Sequence, residues 1–342
     1  MRKGWVGVGG SGWIRPLLLA AGLAVAGWLL GRVGWGEAWG LVASVGWRAP
    51  VLLLPYLAVY MMDCMGWRWT LPSGLGVGFA RLLAIRWSGE AVNNVVPTGH
   101  VGGEVVKVYL LGRQGVGRAV AAGAAVVSKT SQTLAQVMFI SIAAWCFAGL
   151  VPGDSGWRRA MWMALGGGVM AVGVMLWVQW RGLFRTLAGV LCWRGCLPGW
   201  LARREGALRE LDGRIGAFYA GQPGRMAASV ASYLGGWFLD SVEIWVAGWL
   251  LGQPVTMSQA VAVEGFVGIA KLASMWVPGA VGVQEGGILV LGRAVGLGEP
   301  FCMAYALMRR AREAIFAAVG WLLLWSSPVN LGEVPVDAGS RG

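Results

Sequence analysis

Six stretches of this chain, at about 13–31, 49–67, 119–150, 159–180, 226–251 and 299–326, are long and apolar enough to cross the hydrocarbon core of a bilayer. Wherever such a chain meets lipid it must satisfy its backbone hydrogen bonds internally, so these stretches are expected to be helices. The fold class is therefore all-α and polytopic. Composition agrees, with 57% hydrophobic residues and only 13% charged ones. The net charge of +12 does not point to nucleic acid, because no soluble basic domain carries it. Basic residues cluster between the spans, where they set topology and meet anionic headgroups. The five Cys, at 64, 146, 192, 196 and 302, match neither a disulfide framework nor a zinc site. Met-Arg-Lys followed by an apolar run from Pro16 to Leu30 reads as a retained first helix, since many spans follow it.

Two further apolar regions, one in each half of the chain, are broken by the same punctuation, Pro97-Thr-Gly-His-Val-Gly-Gly-Glu104 and Pro278-Gly-Ala-Val-Gly-Val-Gln-Glu285. Leu-Gly-Arg follows each, at 111–113 and 291–293, and a cation inside an apolar helix comes next, Lys129 in the first half and Arg309 in the second. The pieces are 79–96 with 104–112, and 257–277 with 284–292. At about 1.5 Å per residue the second piece of each reaches roughly half-way across a bilayer. Each region therefore reads as a re-entrant or paired short helical hairpin, with breaks at Pro97, Gly99, Gly102 and Gly103, and at Pro278, Gly279 and Gly282. The plain alternative is coincidence between two Pro-Gly turns in a chain with 57 Gly.

Three crossings plus one hairpin per half make an odd number, so the second half should be inverted relative to the first, with repeats at about 13–150 and 159–326. With both termini cytoplasmic, the inner connections 1–15, 67–80, 112–118 and 181–225 hold 14 basic residues, and the outer ones, 32–48, 151–159, 252–260 and around 293, hold five. The segment 181–225 contributes eight of these and reads as an amphipathic surface linker, and 327–342 as a disordered tail.

Ionisable groups at membrane depth are costly and are the functional candidates. In the first hairpin these are Arg86, Glu90, Asn93 and Asn94, then Glu104 and Lys107. Free N–H groups after the break can seat a phosphate or carboxylate, while Glu104 can also cap that helix and pair with Lys107. Lys129, Gln132, Thr133 and Gln136 form one polar stripe, and Arg309, Arg312 and Glu313 another, with Arg310 to one side. Arg309 and Glu313 are also spaced to pair as i,i+4. Glu264, Lys271, Gln284, Glu285, Asp240 and Glu243 complete the set, the last two as proton-relay candidates. His100 reads as a hydrogen-bonded turn residue and Asp63 as an interfacial side chain. The sequence lacks a Walker A, G-x-S-x-G or H-E-x-x-H motif and a Cys/His cluster, so no enzyme activity, metal or cofactor is expected.

Trp67-Arg68-Trp69, Glu90-Ala-Val-Asn-Asn-Val-Val-Pro97, Gly102-Gly103-Glu104-Val-Val-Lys107 and Val277-Pro278-Gly279 through Gly282-Val-Gln-Glu285-Gly-Gly resemble one family. It is the membrane region of lysylphosphatidylglycerol synthases, also called flippase-like integral membrane proteins, and the resemblance is strongest to a branch associated with hopanoid biosynthesis. It implies lipid movement between leaflets in a bacterial inner membrane, with a hopanoid or anionic phospholipid as partner. It does not imply synthase activity, since the chain leaves no room for the soluble aminoacyltransferase domain. In that branch an Asp commonly stands at the place of Glu104 and an Arg at that of Lys107, so charge is kept at both but the bidentate grip of Arg is lost. Headgroup contacts fall to Arg86, Lys107, Lys129, Lys271, Arg309 and Arg312, with the carboxylates and amides above orienting them. A transporter of a small polar solute and a scaffold for lipid-biosynthetic enzymes are the alternatives.

Overall fold

Small residues decide where these helices cross. The computed structural model describes residues 35–95, 101–151, 156–180, 205–273 and 282–326, and among them every regular element is helical. Helix α1 (Trp35–Val45) leads through a 3-10 turn (Gly46–Leu52) into α2 (Leu53–Thr70). Pro50 lies within the 3-10 turn and Pro55 in the first turn of α2, where a helix leaves its backbone N–H groups unpaired and Pro costs no hydrogen bond. Then follow α3 (Phe79–Val95), α4 (Gly102–Gly112), α5 (Arg118–Leu150) and α6 (Gly156–Trp180). The second half contains α7 (Glu205–Gly221), α8 (Pro223–Leu250), α9 (Met257–Ala273), α10 (Val283–Ala294) and α11 (Glu299–Ser326).

Helices stand within a few residues of the places expected for the spans and hairpin arms, while 13–31, Pro97, Gly99, His100, 181–204 of the expected linker, 274–277, Pro278, Gly279 and the tail lie outside the described residues. Helix α1 occupies what the sequence suggested was a connection, and it packs on α11. Among the described residues two segments, Trp39–Thr70 and Arg118–Leu150, are long and apolar enough by themselves to cross a membrane. Helices α8 and α11 are 28 residues each, but α8 carries Asp240 and Glu243, and α11 carries Arg309, Arg310, Arg312 and Glu313.

The most extensive packing is between α2 and α8. It depends on close approach: a Cβ on Gly66 would stand 2.7 Å from the Tyr233 ring, and one on Gly235 would stand 2.7 Å from Met62. Ser229 Oγ donates to the Gly66 carbonyl at 2.8 Å, a helix-to-helix hydrogen bond of the kind that joins membrane helices. Arg225, at the start of α8, donates to the carbonyls of Trp69 (3.0 Å) and Leu71, and so caps the end of α2. The two hairpins exchange partners between halves, with α3 lying against α11 and α9 against α5. Helix α7 rests on α5 through Leu211 and Ile215, on the expected amphipathic linker.

Candidate functional site

A cavity of about 160 Å³ sits where the two halves meet. From the first half it is lined by Tyr56, Val59, Tyr60 and Asp63 of α2, Arg86 and Glu90 of α3, and Lys129, Gln132 and Gln136 of α5. From the second come Gly236, Trp237 and Asp240 of α8, Glu264, Val267, Gly268 and Lys271 of α9, and Arg309 of α11. The same step along the chain that takes Pro97 to Pro278 takes Tyr56 to Trp237, Val59 to Asp240, Arg86 to Val267 and Glu90 to Lys271. Both members of all four pairs line the same cavity.

This repeat step also relates the ion pairs beside the cavity. In the first half Lys129 Nζ stands 3.7 Å from Glu104 of α4 and donates to Gln132 Oε1 at 3.0 Å. In the second half Arg310 pairs with Glu285 of α10 and with Glu313 at 2.7 Å. Glu285, Arg310 and Glu313 stand one repeat step after Glu104, Lys129 and Gln132. The structural counterpart of Lys129 is therefore Arg310 rather than Arg309. Leu-Gly-Arg at 111–113 and 291–293, like Lys129 and Arg309, is offset by 180 residues, one short of the step of 181 that relates the ion-pair residues.

The two triads differ in closure. The side chain of Lys129 is 44% exposed, while that of Arg310 is 25% exposed. Glu313 also approaches Arg309 at 3.7 Å and Arg312 at 3.6 Å, so one carboxylate serves three guanidinium groups. Arg309 is held in two-pronged fashion by Glu264, at 2.6 and 3.0 Å, and donates to Tyr305 Oη at 3.1 Å. Arg312 pairs with the fully buried Glu243 and lies over the Tyr56 ring, 3.4 Å from its centroid. Such pairs hold geometry, because breaking one strands a buried charge.

The hairpins are fastened differently too. Asn93 of α3 accepts the Gly103 N–H of α4 at 2.7 Å, and no side chain fits between the helices there. A Cβ on Gly89 would meet the Gly103 carbonyl at 2.8 Å, and one on Gly103 would meet the Asn93 side chain at 2.6 Å. In the second hairpin Glu285 accepts the Gly282 N–H at 2.8 Å, with Gly282 at a φ of 82° that favours glycine.

Of the expected headgroup cations, Arg86, Lys129, Lys271 and Arg309 reach the cavity. Lys107 does not line it; it is buried against Glu104 at 2.7 Å and faces the Trp67 ring. Arg312 and Glu243 also lie outside the lining, as do Asn94, Gln284 and Glu285. Asp63 corrects the sequence reading: it is no interfacial side chain but lines the cavity and pairs with Arg86, 23 residues away. Tyr56, Tyr60 and Trp237 were missed, because nothing in an apolar aromatic pattern marks which face meets a cavity. Among the described residues no group of His, Cys, Asp and Glu is placed to hold a metal ion.

A family model described as the lysylphosphatidylglycerol synthase TM region matches residues 13–320. No curated protein and no solved structure matches the chain. The match covers nearly all of the membrane helices, and the chain belongs to this family.

Proposed function

We propose that this member of the lysylphosphatidylglycerol synthase transmembrane family binds a lipid headgroup in its central cavity and moves the lipid between leaflets without chemical change. The observation that carries the reading is Lys129, a cation 44% exposed whose nearest carboxylate, Glu104, sits closer to Lys107 (2.7 Å) than to it (3.7 Å). A headgroup phosphate can therefore reach Lys129 without breaking a buried pair. Arg86, Lys271 and Arg309 add positive charge around it, and Asp63 and Glu264 hold Arg86 and Arg309 in place. The fatty tails stay in the bilayer, since a space of about 160 Å³ takes little more than a headgroup.

In this reading the chain is one membrane domain of two inverted repeats in a bacterial inner membrane, with both termini cytoplasmic. The odd number of crossings per half, the constant repeat step and the exchanged hairpin partners support it. The hairpins would then enter from opposite faces, and rocking of one half on the other would open the cavity to each leaflet in turn. A hopanoid or an anionic phospholipid is the cargo.

The test is native mass spectrometry of the purified chain with phosphatidylglycerol. Lys129→Met should lower lipid occupancy at least fivefold and Lys129→Arg should restore it; equal occupancy in all three would remove the headgroup role. The size of the cavity also favours a second reading, a transporter of a small polar solute. That reading expects the native chain to bind no lipid in preference to detergent.

A further inference from the structure

We infer that Asp240 is the proton-binding group of the cavity, through which a pH gradient drives transport. The inference rests on the cavity being the transport site. Asp240 lines it from α8 and makes no ion pair or hydrogen bond among the described residues. The carboxylates around it differ: Asp63 is held by Arg86, Glu264 by Arg309, and Glu243 by Arg312. Sequence spacing put Asp240 and Glu243 on one helix face as equal relay candidates, and the structure separates them. Glu243 is sealed at 0% exposure, whereas Asp240 is partly exposed to the cavity.

The repeat supplies a second, independent argument. The counterpart of Asp240 in the first half is Val59, and it lines the same cavity. An aliphatic residue fills the matching place in the first half, so packing alone does not call for a carboxylate at this position. An unpaired carboxylate at membrane depth is costly, and taking up a proton removes that cost.

The groups that face Asp240 set its response. Glu243 shares its helix, and Glu264 of α9 and Arg309 and Arg312 of α11 act on its charge. Across the cavity stand Tyr56 and Asp63 of α2, then Arg86 and Glu90 of α3. Lys129 of α5 and Lys271 of α9 complete the surround. Arg309 and Arg312 are engaged by Glu264 and Glu243, so neither makes a direct ion pair with Asp240. The step is simple: the carboxylate takes H⁺ from hydronium on one side, leaving water, and the carboxylic acid returns H⁺ to water on the other.

Two measurements on the full chain test this. First, infrared difference spectra of the purified protein between acidic and alkaline buffer contain the carbonyl stretch of every carboxyl that titrates, and subtracting the Asp240→Asn spectrum from the native one should leave one such band. A native-minus-variant spectrum without a protonated-carboxyl band would overturn the proposal. Second, in proteoliposomes with fluorescent phosphatidylglycerol, a gradient of one pH unit should hold the lipid at roughly tenfold asymmetry between leaflets for one proton per lipid. Asp240→Asn and Asp240→Val, the second carrying the residue of its counterpart, should leave the lipid evenly distributed. Asymmetry unchanged in both variants, or native lipid that exchanges but ignores the gradient, would contradict proton coupling. A band that depends on Asp240 with no lipid movement at all would keep the proton site and discard the lipid cargo.

Discussion

The triads Glu104–Lys129–Gln132 and Glu285–Arg310–Glu313 occupy corresponding places in the two halves, yet one is loose and the other is locked. Where the first has neutral Gln132, the second has Glu313, and that carboxylate gathers Arg309, Arg310 and Arg312 into one lattice. Lys129 is left with an amide and a shared carboxylate. An amide-for-carboxylate difference, together with Lys for Arg, thus separates a cation available to a ligand from a cation used to hold helices together.

The largest effect expected from this difference is on stability. Arg309→Met strands Glu264, whose side chain is 2% exposed, and should lower stability by about 3–5 kcal/mol. Lys129→Met removes a half-exposed pair and should change stability by less than about 1 kcal/mol. Thermal unfolding of the purified variants in one detergent checks both. Adding Glu264→Gln to Arg309→Met should recover part of the loss, because the stranded charge is gone.

The hairpins offer a smaller contrast. Gly103→Ala drives a Cβ into Asn93 and should cost about 1–3 kcal/mol. At Gly287 in the second hairpin a Cβ would meet Ala270 and Val267 at an ordinary 3.7 Å, so Gly287→Ala should be neutral or stabilise by up to about 1 kcal/mol. The same unfolding measurement decides it, and equal losses at both positions would erase the distinction.

The smallest stability effect, and the sharpest test of the comparison, is Gln132→Glu, which gives the first triad the chemistry of the second. Stability should shift by less than about 0.5 kcal/mol, while phosphatidylglycerol occupancy by native mass spectrometry falls several-fold as Lys129 gains a carboxylate of its own. Unchanged occupancy would mean that the availability of Lys129 is not set by Gln132.

The helix positions were legible in the residues, because the length of an apolar stretch is a local signal. The arms expected at 79–96 and 104–112 are Phe79–Val95 and Gly102–Gly112 in the structure. Ion-pair partners were not legible. Spacing on one helix nominated Arg309 with Glu313, and they do approach, but at 3.7 Å; the strong partner is Glu264, 45 residues away on another helix. Asp63 was misread for the same reason, since its partner Arg86 lies across a helix crossing. Helix α1, Trp-Gly-Glu-Ala-Trp-Gly-Leu-Val-Ala-Ser-Val, falls in the expected connection 32–48, and Gly36, Glu37 and Gly40 interrupt its apolar run.

Leaflet exchange of fluorescent phosphatidylglycerol in proteoliposomes, read by dithionite quenching, tests the central claim most directly. The native chain should bring inner-leaflet lipid out at a rate well above that of empty vesicles. Lys129→Met, folded and inserted, should fall at least tenfold, and Lys129→Arg should recover. Exchange in the Met variant equal to that of the native chain, or none in either, would contradict the account.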